Sequence, residues 1–378
     1  MQRNTHKIIR AVTVAQSLGF CRDVMRKMRE KGYEMVAVCS PGAELERLQN
    51  VDGFRCVAVP MERRMAPLKD LKSLGRLIRV FRAERPQMVH SMTPKAGLLC
   101  MLAAWITRVP RRVHTFTGLV WPTATGLQRR ILMLTDWLTC ACATHVIPEG
   151  RGVMHDLQQI TRKPMRVLGY GNVRGVDMKY WHREQVDAEL VKKLRAEGTF
   201  TFVYVGRIVR DKGIDELVEA FVKVRQVHKA RLVIVGRRED NLDPVSEKTL
   251  KLMEKCADIV CVGPKYGQDL LAQYAAADCF VLPSYREGFP NTVLEAGAMG
   301  LPSIVTDING SREIVENGKN GLIVPPKDAR SLAEAMVRMM EDDDMREQMA
   351  AHARPMIESR FEKGFVMKCM IDFYEEIL

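Results

Sequence analysis

"TFVYVGRIVRDKGIDELVEAFVKVR", residues 201–225, passes from a strand pattern through a turn into a helix pattern. An apolar, β-branched and aromatic run ends on Gly206-Arg207, Lys212-Gly213 closes a turn, and an amphipathic helical stretch follows. The same alternation continues through "ARLVIVG", "DIVCVG", "DCFVLPS" and "PSIVT". It also runs through the N-terminal half, in "IIRAVTVA", "CRDVMRKMREKG", "EMVAVCS", "FRCVAVP", a helical pattern over 66–85, "MVHS", "AGLLCMLAAWIT" and "RRVHTFTG". Strands that alternate with helices form parallel sheets with crossover helices, an α/β class. Two doubly wound units facing a cleft are expected, with ligands at the carboxyl ends of the strands.

A chain of 378 residues suits two domains of ordinary size. Residues 1–170 read as the first, 171–199 as a linker rich in glycine and turn residues, and 200–360 as the second. Residues 361–378 read as a helix that packs back on the first. The 47% apolar and 28% charged content describes a soluble globular protein without low-complexity tracts. "ILMLTDWLTCACATHVI" (131–147) is broken by Asp136, so no membrane span is expected, and the first sixteen residues lack the apolar core of a secretory signal. Ten cysteines without C-x-x-C pairs point to reduced thiols and no zinc site. The net charge of +12 is divided unevenly. Residues 1–180 hold 30 Lys/Arg against 13 Asp/Glu, a surplus of 17, which leaves 28 against 33 for the remainder. The basic half therefore meets an anionic partner.

In "YVGRIVRDKG" (204–213), Gly206 admits a close backbone approach, while Arg207 and Lys212 are placed to meet a diphosphate. No G-x-G-x-x-G is present. In "LPSYREGFPNTVLEAGAMG" (282–300), Pro290 starts a helix whose N–H groups around Phe289, Asn291 and Thr292 cradle phosphate oxygens. Two acids stand in this apolar setting and need partners. Glu295, a turn into the helix, suits a vicinal ribose diol, and Glu287 suits a sugar hydroxyl.

These motifs, with "GLP" and "DINGSREIVENGKNGLIVPPKD" (307–328), resemble the nucleotide-sugar-binding domain of retaining glycosyltransferases of family 4. The resemblance implies the GT-B architecture of two Rossmann-like domains. It also implies a donor site made of Gly206, Arg207, Lys212, Pro283, Glu287, Gly288, Phe289, Pro290, Asn291, Thr292 and Glu295. "VGRREDN" (235–241), which adds Gly236, and "FVLPSYREGFP" are similar to enzymes that act on polyprenyl-diphosphate-linked sugars in bacterial glycan assembly. In the first half, His114 of "VHTFTG" matches a family histidine that touches the donor. Lys95 of "HSMTPKAG" is a candidate for an acceptor phosphate, and Gly19 of "AQSLGFCRD" stands where relatives carry a glycine pair.

The resemblance implies transfer of a hexose or N-acetylhexosamine from a UDP-sugar to a lipid-linked glycan at the inner membrane face. His114, Arg207, Lys212 and Glu287 are the expected catalytic residues. Two cations and a helix terminus are expected to replace a metal, so no cofactor is required. A sugar-nucleotide 2-epimerase and a non-catalytic nucleotide-sugar-binding subunit share the motifs and stay open. The basic stretch "MAPLKDLKSLGRLIRVFRAE" (65–84) has Leu68, Leu71, Leu74, Ile78 and Phe81 at helical spacing. It either packs on its sheet or lies on anionic lipid. "GLVWPTATGLQRR" (118–130), with Trp121, Arg129 and Arg130, is a second membrane candidate. No nucleic-acid-binding motif accompanies the charge.

Overall fold

Each half of the chain builds one six-stranded, wholly parallel sheet. The structure, a computed structural model, describes residues 6–63, 65–239 and 243–378, so Asp240 and Asn241 of the 235–241 motif lie outside the described residues. The first sheet contains β1 (Lys7–Ala11), β2 (Glu34–Cys39), β3 (Arg55–Ala58), β4 (Met88–Met92), β5 (Arg111–Phe116) and β6 (His145–Pro148). The second contains β7 (Phe200–Val205), β8 (Ala230–Val235), β9 (Ile259–Gly263), β10 (Cys279–Leu282), β11 (Ser303–Thr306) and β12 (Gly321–Val324).

Both sheets have the same order, β3-β2-β1-β4-β5-β6 and its counterpart β9-β8-β7-β10-β11-β12. This is doubly wound topology, in which the strand order reverses beside the first strand of each unit. Strands buried on both faces read as continuous apolar runs, which is why β4 and β10 have no exposed position. The crossover helices bury one stripe each. In Ile214–Val224, Ile214, Leu217, Val218, Phe221 and Val224 face the sheet. A side chain such as Phe221, fully buried, contributes about 1.5–3 kcal/mol.

The chain divides into one unit of 1–175 with 364–378 and another of 176–363. Residues 171–199 are thus shared between the units rather than forming a free linker, because Val176, Met178 and Trp181 are buried in the second core. Met370, Phe373, Tyr374 and Ile377 of the last helix, Lys363–Ile377, are buried in the first unit's core. All ten cysteines are free thiols.

Candidate functional site

β7 and β10 neighbour each other where the second sheet reverses its order, and the loops that leave them carry most of the predicted residues. After β7 the chain makes a turn of 3-10 helix at Arg210–Lys212 and enters Ile214–Val224 through Gly213. Gly213 has φ +70°, and a Cβ there would stand 2.0 Å from the Pro283 carbonyl oxygen. Glycine alone tolerates both the dihedral and the approach. Lys212 is thereby set against the loop after β10, where its Nζ donates to Glu287 Oε1 and Ser284 Oγ donates to the same oxygen at 2.8 Å. The ion pair is shielded, with both side chains about 15% exposed.

The 283–290 loop is held from its other side as well. Thr306 Oγ1 donates to the Ser284 carbonyl at 2.5 Å, and a Cβ on Gly310 would lie 2.3 Å from the Gly288 oxygen. Phe289 anchors the loop in the core against Phe361, with ring centroids 5.3 Å apart. Pro290 is the N-cap of Asn291–Ala298 and supplies no side-chain cap, so the positive end of the helix dipole lies at this loop. Glu295 is 7% exposed in that helix, and Tyr274 Oη donates to its Oε2 at 3.2 Å.

Arg207 is held separately from Lys212. Its Nη1 donates to Glu239 Oε2 at 2.9 Å, while Tyr204 Oη donates to its carbonyl at 2.7 Å. Gly206 and Gly236 let the ends of β7 and β8 meet, since a Cβ on Gly236 would stand 1.7 Å from the Gly206 oxygen. The Arg207 guanidinium is thus engaged by Glu239, whereas Lys212 is engaged by Glu287. Glu239, Tyr204 and Ser284 escaped the sequence reading. So did the clamp in which Arg286 Nη2 donates to Asp211 Oδ2 at 2.9 Å and Tyr285 Oη donates to Glu216 at 2.6 Å. Their charges are visible in sequence, but their partners are not.

In the first unit, His114 lies on β5 and is 1% exposed, under Gly97 of the helix Pro94–Ile106. Its Nδ1 shares a hydrogen bond of 2.8 Å with Ser91 Oγ, and burial pushes its pKa down to about 3, so the ring is neutral. A neutral imidazole donates or accepts at Nε2 but carries no charge to a phosphate. Lys95 is not a free cation, since its Nζ meets Asp70 Oδ2 at 2.5 Å. Gly19 lies in the short 3-10 helix Ala15–Phe20, and a Cβ there would touch nothing within 4 Å. Trp121 is 1% exposed in the core, which removes it as a membrane contact. Leu68 and Leu71 share helical spacing with Phe81, yet they are 80% and 67% exposed while Phe81 is buried. A network absent from the reading fills the centre of the unit. Buried Arg10 donates to Tyr374 Oη at 2.6 Å and to Cys21 Sγ at 2.9 Å, and also meets His90. Among the described residues no group of three or more His, Cys, Asp or Glu is arranged to hold a metal ion.

Residues 186–356 match the family described as glycosyl transferases group 1, and residues 20–171 match the glycosyl transferase 4-like domain. The chain is 31% identical over 376 residues to the capsular polysaccharide biosynthesis glycosyltransferase CapM of Staphylococcus aureus, covering 98% of this chain and 97% of that one. It is 28% identical over 305 residues to the Escherichia coli UDP-Gal:alpha-D-GlcNAc-diphosphoundecaprenol alpha-1,3-galactosyltransferase, covering 77% and 76%. The structure of Anabaena HepE in complex with UDP and glucose superposes with a TM-score of 0.80 at 17% identity, covering 98% of this chain and all of that one, and is evidence for the fold alone.

Proposed function

This chain belongs to the group 1 glycosyltransferases of GT-B fold, and we propose that it moves a hexose or N-acetylhexosamine from a UDP-sugar to a polyprenyl-diphosphate-linked sugar, with retention at the anomeric carbon. The observation that carries this reading is the Lys212, Glu287 and Ser284 constellation beside the helix start at Pro290. Lys212, Arg207 and the helix N-terminus stabilise the charge that builds on the departing diphosphate. Glu287, already engaged by Lys212 and Ser284, is positioned to orient a sugar hydroxyl, and buried Glu295 to take the ribose diol. The E. coli relative's name specifies a UDP-sugar and a diphosphoundecaprenol-linked acceptor, which supports the same classes here. His114, buried, neutral and paired with Ser91, is not given the role of an acid in this reading.

The test is a transfer assay with a panel of nucleotide sugars and a short-chain polyprenyl-diphosphate sugar, with the product's anomeric configuration read by NMR. A new glycosidic bond of the donor's configuration is the expected result. Conversion of the donor to its 2-epimer without transfer would replace this reading with the epimerase one. Donor binding with neither transfer nor hydrolysis would leave the non-catalytic subunit.

A further inference from the structure

In the helix Gly126–Cys142 of the first unit, Leu127, Ile131, Leu134, Trp137 and Ala141 are exposed at spacings of three or four, with Gln128, Arg129 and Arg130 also exposed in its first turns. Leu127 is 72% exposed, Leu134 60% and Trp137 46%. The inward side packs Leu132, Met133 and Leu138 on the core, with Thr139, Cys140 and Cys142 buried, so large apolar side chains stand on both sides of this helix. Such a helix is normally covered on both sides. The apolar surface continues onto the neighbouring helix Pro94–Ile106, where Trp105 and Ile106 are exposed. An extended apolar patch on a water-soluble protein marks a contact surface.

Charge identifies what covers it. Residues 94–142 contain six Lys or Arg and one acid, Asp136, which is half-buried. The next helix of the layer, Pro67–Glu84, turns Lys72, Arg76 and Arg79 outward. A second copy across a two-fold axis would set these cations against themselves. Apolar residues with a cationic surround match the boundary between phosphates and acyl chains. Among the described residues no helix is long and apolar enough to cross a membrane.

We propose that the outward face of the helix Gly126–Cys142, with Trp105 and Ile106 beside it, seats in the interfacial layer of an anionic bilayer. Leu127, Ile131, Leu134 and Trp137 enter among the acyl chains, while Arg129 and Arg130 meet the phosphates. The anchor is this helix rather than the buried Trp121 or the basic stretch at 65–84, whose charges add attraction from the rim. The inference rests on the reading of a lipid-linked acceptor only for its purpose, since it names the surface from which that acceptor is drawn.

The experiment uses the full chain with phosphatidylglycerol-containing vesicles and no donor or acceptor. Trp105 and Trp137 report entry through quenching of tryptophan emission by nitroxides placed on the acyl chains. Quenching is expected, with a fraction of the binding persisting at high salt. The double variant Ile131→Glu, Leu134→Glu should bind vesicles about a hundredfold more weakly, because each buried side chain contributes a factor of about ten or more. It should keep its melting temperature and its transfer to a water-soluble short-chain acceptor. Binding without quenching and wholly lost in salt would overturn insertion in favour of charge alone. A dimer of the unsubstituted chain that dissociates on substitution, with no vesicle binding by either, would assign the face to a second copy.

Discussion

Gly213 and the Pro283 carbonyl are packed so closely that a β-carbon between them would stand 2.0 Å from the oxygen. This approach joins the loop after β7 to the loop after β10 and presses Lys212 onto Glu287. Gly213→Ala introduces a positive-φ penalty and a backbone clash together, so a loss of roughly 2–4 kcal/mol is expected. Urea unfolding measures it, and calorimetry should show UDP affinity falling as well. A variant of full stability and affinity would mean that the loops adjust independently.

Lys212 and Arg207 are unequal in this arrangement. Lys212 is shielded and fixed by Glu287, while Arg207 is half-exposed and tied to Glu239. Lys212→Ala is expected to lower kcat about 10²–10³-fold, the cost of removing a fixed charge from a developing anion. Arg207→Ala should cost less, because an exposed cation is screened by solvent. Steady-state kinetics in which Arg207→Ala is the more damaging change would reverse the assignment.

The fold was legible because parallel strands buried on both faces leave apolar runs between amphipathic helices, as "DCFVLPS" and "GIDELVEAFVKVR" do. β6 was hidden because "HVI" closes a long apolar helical run, and β12 because "GLIV" is only four residues of a turn-rich segment. Within the candidate site, Lys212 and Glu287 stood out by residue type. The Arg207 and Glu239 pair depends on β7 and β8 lying in register at Val205 and Val235, a long-range fact that no local spacing encodes. The exposure of Leu68 and Leu71 has a similar origin. Helical period defines a face but not where the sheet beneath it ends.

Glu295 is the acid assigned to the ribose. Its replacement by Ala should weaken UDP binding by roughly 1–3 kcal/mol, the range for charge-assisted hydrogen bonds. Tyr274→Phe removes only the 3.2 Å contact to Oε2 and should cost less. Isothermal titration of both variants separates a ribose ligand from a structural acid, and unchanged affinity in Glu295→Ala would take Glu295 out of the site.

Transfer is expected to survive chelation, since Lys212, Arg207 and a helix terminus carry the neutralising charge that a divalent ion supplies elsewhere. An assay with EDTA, with and without added magnesium or manganese, tests this. Activity lost in EDTA and restored by either ion would require a metal at the diphosphate.

Asp136 should make the first unit's stability depend on pH. Burial pushes its carboxyl up to about 7 from the ordinary 3.8. Between those values the folded chain holds a proton that the unfolded chain has released, so the folded state binds more protons and stability falls as pH rises. Above about 7 both states are ionised, and the slope from this group ends. A shift of about three pKa units corresponds to a loss on the order of 4 kcal/mol between pH 4 and 7. Asp136→Asn removes the proton-linked term, so it should flatten the urea midpoint over that window and leave the variant more stable than the native chain above pH 7. Parallel midpoint profiles for the two proteins would show that Asp136 titrates as an ordinary solvated carboxylate and that its place on the helix costs nothing.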